Sequence, residues 1–124
     1  DHFKSINDQY GHAAGDQVLR QLGRQCQSRL RDSDFLGRIG GEEFALLLPD
    51  TPQDNATYVA ERMREQLSKT SITLDNGVIL NITASFGVAA MNNDDADFSA
   101  VLHRADVAMY NAKHGGRNQV KSAA

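Results

Sequence analysis

Gly40-Gly41-Glu42-Glu43-Phe44 sets two residues without a Cβ and two carboxylates between apolar runs. Phe35-Leu36-Gly37-Arg38-Ile39 precedes it and Phe44-Ala45-Leu46-Leu47-Leu48 follows it. Both runs read as short buried strands bounded by turn signals, which makes the motif a hairpin tip. Glycines at such a tip admit positive φ and let a ligand approach without meeting a side chain. A carboxylate there can hold a metal ion against a phosphate. A metal-nucleotide site is one reading. A Gly-Gly turn carrying two solvated glutamates is the other, and five residues alone do not decide between them.

The surrounding elements must place that tip. Val18, Leu19, Leu22, Cys26 and Leu30 recur at helical spacing, so a helix is expected from about Ala14 to Arg31, entered through a loop at Gly11-His12-Ala13-Ala14-Gly15-Asp16. After the strand pair, Pro49 stops the second strand. Thr51 can cap a helix with Pro52 at its first position and Asp54 in its first turn. Ala56, Val59, Ala60, Met63 and Leu67 give that helix one apolar face. Asp75-Asn76-Gly77 is a turn joining Ile72-Thr73-Leu74 to a long strand from Val78 to Ala90, in which Leu80, Ile82, Ala84, Phe86 and Val88 alternate with smaller or polar residues. Asn92 to Asp97 is an acidic surface loop. Phe98, Val101, Leu102, Ala105, Ala108, Met109 and Ala112 mark a third helix with Gly115-Gly116 as its C-cap, before a strand around Asn118-Gln119-Val120. The order gives an α/β fold, an α+β sandwich of mainly antiparallel sheet covered by helices. A split βαβ arrangement needs a strand before the first helix. Asp1 to Asp8 is too polar to supply it, so the expectation is a domain without its N-terminal strand.

Composition narrows the partners. At 124 residues, with 40% hydrophobic and 23% charged, the chain fits one globular domain over residues 1–124. A net charge of -3 argues against general nucleic-acid binding, so a phosphate ligand needs local cations or a metal. Cys26 is the one cysteine, placed on the apolar helix face as a small hydrophobe, and no disulfide can form within the chain. No apolar stretch approaches membrane-spanning length, and a reduced cytoplasmic setting without membrane contact by this domain is expected. His2, His103 and His114 show no metal-ligand spacing.

Phe3-Lys4-x-x-Asn7-Asp8-x-x-Gly11-His12-x-x-Gly15-Asp16, then Gly40-Gly41-Glu42-Glu43-Phe44, then Lys113-x-x-x-Arg117-Asn118, resembles the GGDEF family of diguanylate cyclases over nearly the whole chain. The resemblance implies a ferredoxin-like fold similar to the palm of nucleotidyl cyclases. It also implies condensation of two GTP into cyclic dimeric GMP and pyrophosphate, with Mg2+ or Mn2+, two ions per intact site, as cofactor. Glu42 matches the metal ligand and general base, and Glu43 a residue that holds the tip or contacts the second metal. Lys4 matches the cation that neutralises phosphate charge in the transition state, a role suited to a compact ammonium. Lys113 and Arg117 match a second phosphate-binding pair; a lysine in a last helical turn is also placed there by the macrodipole alone. Asn7 and Asp16 match the guanine readers, an amide offering donor and acceptor and a carboxylate accepting from guanine N–H groups. His12 either contacts nucleotide or braces the turn. Arg31-x-x-Asp34 matches the family's product-inhibition site, with Arg62 as the arginine that completes it in some members.

The sequence departs from the family at its start. The Asp-x-Asp that precedes Phe-Lys is represented only by its second aspartate, Asp1, so the resemblance implies that a principal metal carboxylate lies outside these residues and that the fragment alone is weak or inactive. One GTP per site implies that two domains must meet, making a homodimer part of the mechanism, with an upstream regulatory domain in the parent. A regulatory module that binds GTP or cyclic dimeric GMP without making it is the competing reading. The retained Glu42, Glu43, Lys4, Asn7 and Asp16 favour the enzyme. An unrelated nucleotide-binding domain has no Gly-x-x-x-x-Gly-Lys-Ser/Thr loop or dinucleotide fingerprint to support it.

Overall fold

The computed structural model describes residues 1–92 and 94–123. Among them the chain forms four helices and six short strands in two compact units. One unit comprises residues 2–49 and 69–82, and the other Asp1, 50–68 and 83–124.

In the first unit, α1 (Phe3–Tyr10) and α2 (His12–Gln27) form a helical pair broken only at Gly11. Gly11 sits at φ 92, ψ 164, a region essentially closed to residues with a Cβ. The break is therefore one residue, not the six-residue loop expected, and α2 starts and ends earlier than the apolar spacing suggested. α1 was not expected at all. Its Phe3, Ile6 and Tyr10 do carry helical spacing, and Ile6 and Tyr10 pack against a core of Ala14, Val18, Ile72, Leu74 and Ile82. Ile6 and Tyr10 are partly buried, so each contributes less than the about 1.5–3 kcal/mol of full burial, and this packing is what holds an eight-residue helix of poor intrinsic stability. β3 (Ser71–Thr73) and β4 (Ile79–Asn81) pair antiparallel around the expected turn. There Gly77 takes φ 87 and Leu74 N–H donates to Val78 at 2.8 Å. Gln17 and Gln21 of α2 fasten this hairpin, Gln17 by exchanging bonds with Asp75 and Gln21 by donating to the Thr73 carbonyl.

β1 (Phe35–Arg38) and β2 (Phe44–Leu47) pair antiparallel with Arg38 opposite Phe44. The expectation of buried strands is corrected. Phe35 and Leu47, opposite one another, are exposed. A two-stranded ribbon covers its own backbone edge but not its faces.

In the second unit, α3 (Gln53–Lys69) buries Ala60, Met63 and Leu67, and Pro52 carbonyl accepts the first helical bond from Ala56. The long alternating strand is also corrected. It ends at Asn81 and resumes as β5 (Phe86–Val88), which pairs in parallel with β6 (Val120–Ser122). Between them the polar members of the alternation turn to Asp1, whose carboxylate accepts from Thr83 Oγ1 at 2.9 Å, Ser85 Oγ at 2.8 Å and Asn118 N–H at 3.1 Å. α4 (Phe98–His114) is capped by Asp97, which accepts from Ala100 N–H, and its buried face is Ala108 and Ala112. Of the expected acidic loop, residue 93 lies outside the described residues. Asp95 accepts a forked bond from Arg104, which also donates to the Ala90 carbonyl. No helix among the described residues is long and apolar enough to cross a membrane.

Candidate functional site

The hairpin tip is closed by Ile39 N–H donating to the Glu43 carbonyl at 3.0 Å. Neither Gly40 nor Gly41 has positive φ, which corrects one of the two reasons for placing glycine there. A Cβ at Gly41 would meet nothing, and one at Gly40 would make only ordinary contact with Glu43. The protein itself therefore leaves room for side chains at both positions, so neither glycine is required by φ or by packing within the described residues. Arg38, not singled out from the sequence, folds its guanidinium back so that Nε donates to the Gly40 and Gly41 carbonyls at 3.2 and 3.1 Å. Its position two residues before the glycine pair was the available signal. Glu42 is exposed, while Glu43 is half-buried with its Oε2 over Gly40.

Lys4 stands exposed in the first turn of α1. Asn7, one turn on, has its amide Oδ1 buried without a hydrogen-bond partner. Such a group costs about 1–3 kcal/mol when left unsatisfied, and native proteins seldom retain one without use. The first turns of α2 pack beside it. His12 is the first residue of that helix, and Gly15 lies directly under the Asn7 amide. Asp16 follows, exposed. His12 and Asp16 are thus helical rather than on a loop, and α1 and α2 bring Lys4, Asn7, His12 and Asp16 onto one helical pair.

Arg31 and Asp34 are brought together by a turn in which Asp34 N–H donates to the Arg31 carbonyl at 3.0 Å and Arg31 N–H to Asp34 Oδ2 at 2.9 Å. The guanidinium donates to the same carboxylate, with Nη2 to Oδ1 at 2.8 Å, and Nη2 also donates to the Pro49 carbonyl. Asp34 is buried, yet the Arg31 hydrogen bond holds its carboxyl below the usual range against the opposing effect of burial. Asp34 fixes an arginine whose side chain remains 59% exposed.

In the other unit, Arg62 is exposed on α3 with its guanidinium 5.8 Å from the Tyr58 ring centroid. Lys113 lies half-buried in the last turn of α4. Beyond it Gly116 (φ 115), Arg117 (φ 63) and Asn118 (φ 45) are all left-handed. Arg117 N–H donates to the Ala112 carbonyl at 3.0 Å, the six-to-one bond of a Schellman cap with Gly116 in the position that favours glycine. Asn118 is gripped from two sides, by Arg64 donating to its Oδ1 at 2.9 Å and by its own N–H on Asp1.

Among the described residues no group of three or more His, Cys, Asp or Glu side chains is gathered to hold a metal. A hard cation such as Mg2+ does not need such a cage, because it is commonly bound through one or two carboxylates together with substrate phosphates. Glu42 and Glu43, neighbouring carboxylates at the tip, are of the donor type that fits such an ion. Asp1, by contrast, already accepts three hydrogen bonds and serves as a structural anchor.

A family model described as "Diguanylate cyclase, GGDEF domain" matches residues 1–119. The chain is 44% identical over 120 residues to "Diguanylate cyclase A" of Treponema denticola, covering 97% of this chain and 32% of that protein. It spans between about a fifth and a third of the length of curated relatives that it matches. Among solved structures it resembles the GGDEF domain of PA1120 (YfiN or TpbB) from Pseudomonas aeruginosa, at TM-score 0.93 and 36% identity, covering 100% of this chain and 77% of that one. It also resembles the GGDEF domain of DgcB from Caulobacter crescentus in complex with c-di-GMP, at TM-score 0.91 and 34% identity, covering 98% and 72%.

Proposed function

Because the chain belongs to the GGDEF family of diguanylate cyclases, we propose that residues 1–124 are most of one catalytic domain that condenses GTP into cyclic dimeric GMP and binds that product for feedback control. The observation that carries the reading is the seating of the Asn7 amide against the Gly15 backbone of α2. The amide lies beside the α2 turns that bear His12 and Asp16, where a guanine-reading pair is called for.

In this reading Asn7 and Asp16 select the base, and adenine, which lacks the N1 and N2 hydrogens that a carboxylate accepts, is rejected. Glu42 takes the proton from the 3′-hydroxyl of one GTP, the freed oxygen attacks the α-phosphorus of a second, and the bond to pyrophosphate breaks. A repeat in the opposite sense closes the ring, so two P–O bonds form and two pyrophosphates leave. Lys4 offsets charge on the phosphate oxygens as the bond forms, and Lys113 and Arg117 are the phosphate-binding cations of the other unit. Mg2+ held by Glu42 and Glu43 with the phosphates would supply Lewis-acid stabilisation of the attacking and leaving oxygens. Each domain presents one GTP, so two copies must meet. Arg31, steadied by Asp34, presents a guanidinium fork to product phosphate, and Arg62 is a further product contact. The domain is placed in the cytoplasm, where GTP is available.

The test is Glu42→Gln in the full-length protein. Cyclic dimeric GMP formation from GTP and Mg2+ should fall by at least about 100-fold, the usual contribution of a general base, with GTP binding retained. Turnover equal to the parent's would overturn the assignment.

A further inference from the structure

We propose that Gly15 is a specificity-determining positioning residue, whose missing side chain is the seat that fixes the Asn7 amide with its oxygen turned inward and its NH2 group toward the ligand.

Gly15 lies inside α2 with ordinary helical φ, so its glycine is not explained by backbone conformation. Within a helix glycine is poorer than alanine, so space is the reason to look for. A Cβ built at Gly15 would stand 1.9 Å from Asn7 Oδ1, 3.0 Å from Asn7 Cγ and 3.0 Å from Phe3 Cζ. At Gly23, the other glycine inside the same helix, a Cβ would meet only Phe44 at an ordinary 3.7 Å. The Asn7 amide therefore rests on the Gly15 backbone. Its oxygen has no hydrogen-bond partner and is left with the weak contact that a glycine Cα–H can offer. The Asn7 carbonyl is in turn fixed by Gly11 N–H at 2.8 Å, so the residue is held at both ends.

This rests on the reading of Asn7 as a guanine contact and sharpens it. With Oδ1 sealed against α2, Asn7 acts as a donor only, to an acceptor such as the base O6, while Asp16 accepts from N1 and N2. Inosine keeps O6 and loses the N2 amino group. Asn7 should therefore contribute equally to guanosine and inosine nucleotides, and Asp16 should distinguish them.

The experiment measures binding of the α,β-methylene analogues of GTP and ITP, which cannot release pyrophosphate, to the full-length protein by calorimetry. Gly15→Ala should weaken both analogues by the same factor, about tenfold, as expected for one lost hydrogen bond. Asn7→Ala should do the same. The Gly15→Ala/Asn7→Ala double variant should bind no more weakly than Asn7→Ala, because no amide remains to be displaced. Asp16→Asn should instead reduce the preference for the GTP analogue over the ITP analogue. If Gly15→Ala binds within twofold of the parent, or if the double variant loses the two effects additively, the positioning role is overturned. If Asn7→Ala binds normally, the guanine reading of Asn7 itself falls. Should Gly15→Ala fail to fold, thermal unfolding of the double variant decides. Recovery to the Asn7→Ala midpoint supports the seat, and failure of both variants to fold overturns it.

Discussion

At the scale of single residues, Arg117 sits against its backbone preference. Its φ of 63 follows Gly116 at 115 and precedes Asn118 at 45. Asparagine tolerates the left-handed region because its side chain bonds locally, but arginine has no such compensation and loses about 1–2 kcal/mol there. The strain persists because the Schellman bond to Ala112 on one side and the grip of Asp1 and Arg64 on Asn118 on the other leave the backbone no alternative. Arg117→Gly should therefore raise the unfolding free energy in urea by about 1 kcal/mol while lowering cyclic dimeric GMP synthesis. Arg117→Ala should lower synthesis without the gain. A destabilised glycine variant would show that the arginine side chain holds the turn. The candidate side chains themselves could be read from the sequence because their order and spacing are family motifs. Arg117's strain could not, since Gly115-Gly116 announces that the helix ends but not that the left-handed path continues for two more residues. Arg38 was missed for a related reason: its bonds to the Gly40 and Gly41 carbonyls depend on how tightly the tip folds back. Cys26, expected as a small buried hydrophobe, is half-buried, and burial pushes its thiol up to about 11, so it is an inert group at neutral pH.

At the scale of elements, the second unit depends on how closely β5 approaches α4. A Cβ on Gly87 would lie 1.9 Å from the Ala105 carbonyl oxygen and 2.4 Å from the Met109 nitrogen. Both are helix backbone and cannot swing aside, so Gly87→Ala must push strand and helix apart. Overpacking of this kind costs roughly 3 kcal/mol or more. Gly37→Ala in β1, where a Cβ meets nothing, should change stability by less than about 0.5 kcal/mol. Urea unfolding of the two variants checks both, and equal effects would refute the close-packing account. Gly87 was readable only as the small member of an alternating strand. That alternation, Leu80 to Val88, correctly signalled strand. It could not signal that Asn81 ends one pairing and Phe86 begins another, because pairing partners are remote in sequence and Thr83 and Ser85 are bound to Asp1. The three long helices were legible from their apolar spacing. α1 was not, because eight residues give little more than two turns of pattern and its polar and charged residues outnumber Phe3, Ile6 and Tyr10.

At the scale of the whole molecule, three of the arginine–carboxylate pairs among the described residues should shape the response to acid, and each compact unit has at least one. Asp34 is paired with Arg31 in the first unit, and Glu61 with Arg64 and Asp95 with Arg104 in the second. In each case the arginine's side-chain hydrogen bond is the main cause that lowers the carboxyl pKa, with burial opposing it. A carboxyl whose folded pKa lies below its unfolded value contributes stability that is complete above the unfolded value and disappears as pH falls through the folded one. The unfolded references are 3.8 for aspartate and 4.5 for glutamate. The contribution of these pairs is then constant above roughly pH 5 and is lost progressively below about pH 4. Thermal unfolding midpoints measured from pH 7 to pH 3 should show that plateau and that fall. Asp95→Asn should lower the plateau and flatten the fall, because the amide keeps an oxygen for Arg104 but no charge to titrate. A variant that falls as steeply as the parent would mean that other carboxyls carry the acid sensitivity. Asp34→Ala, which leaves Arg31 no acceptor at this position, separates stability from function. It should flatten the acid limb and, by freeing Arg31 from its fixed orientation, weaken product inhibition while leaving synthesis at low product unchanged.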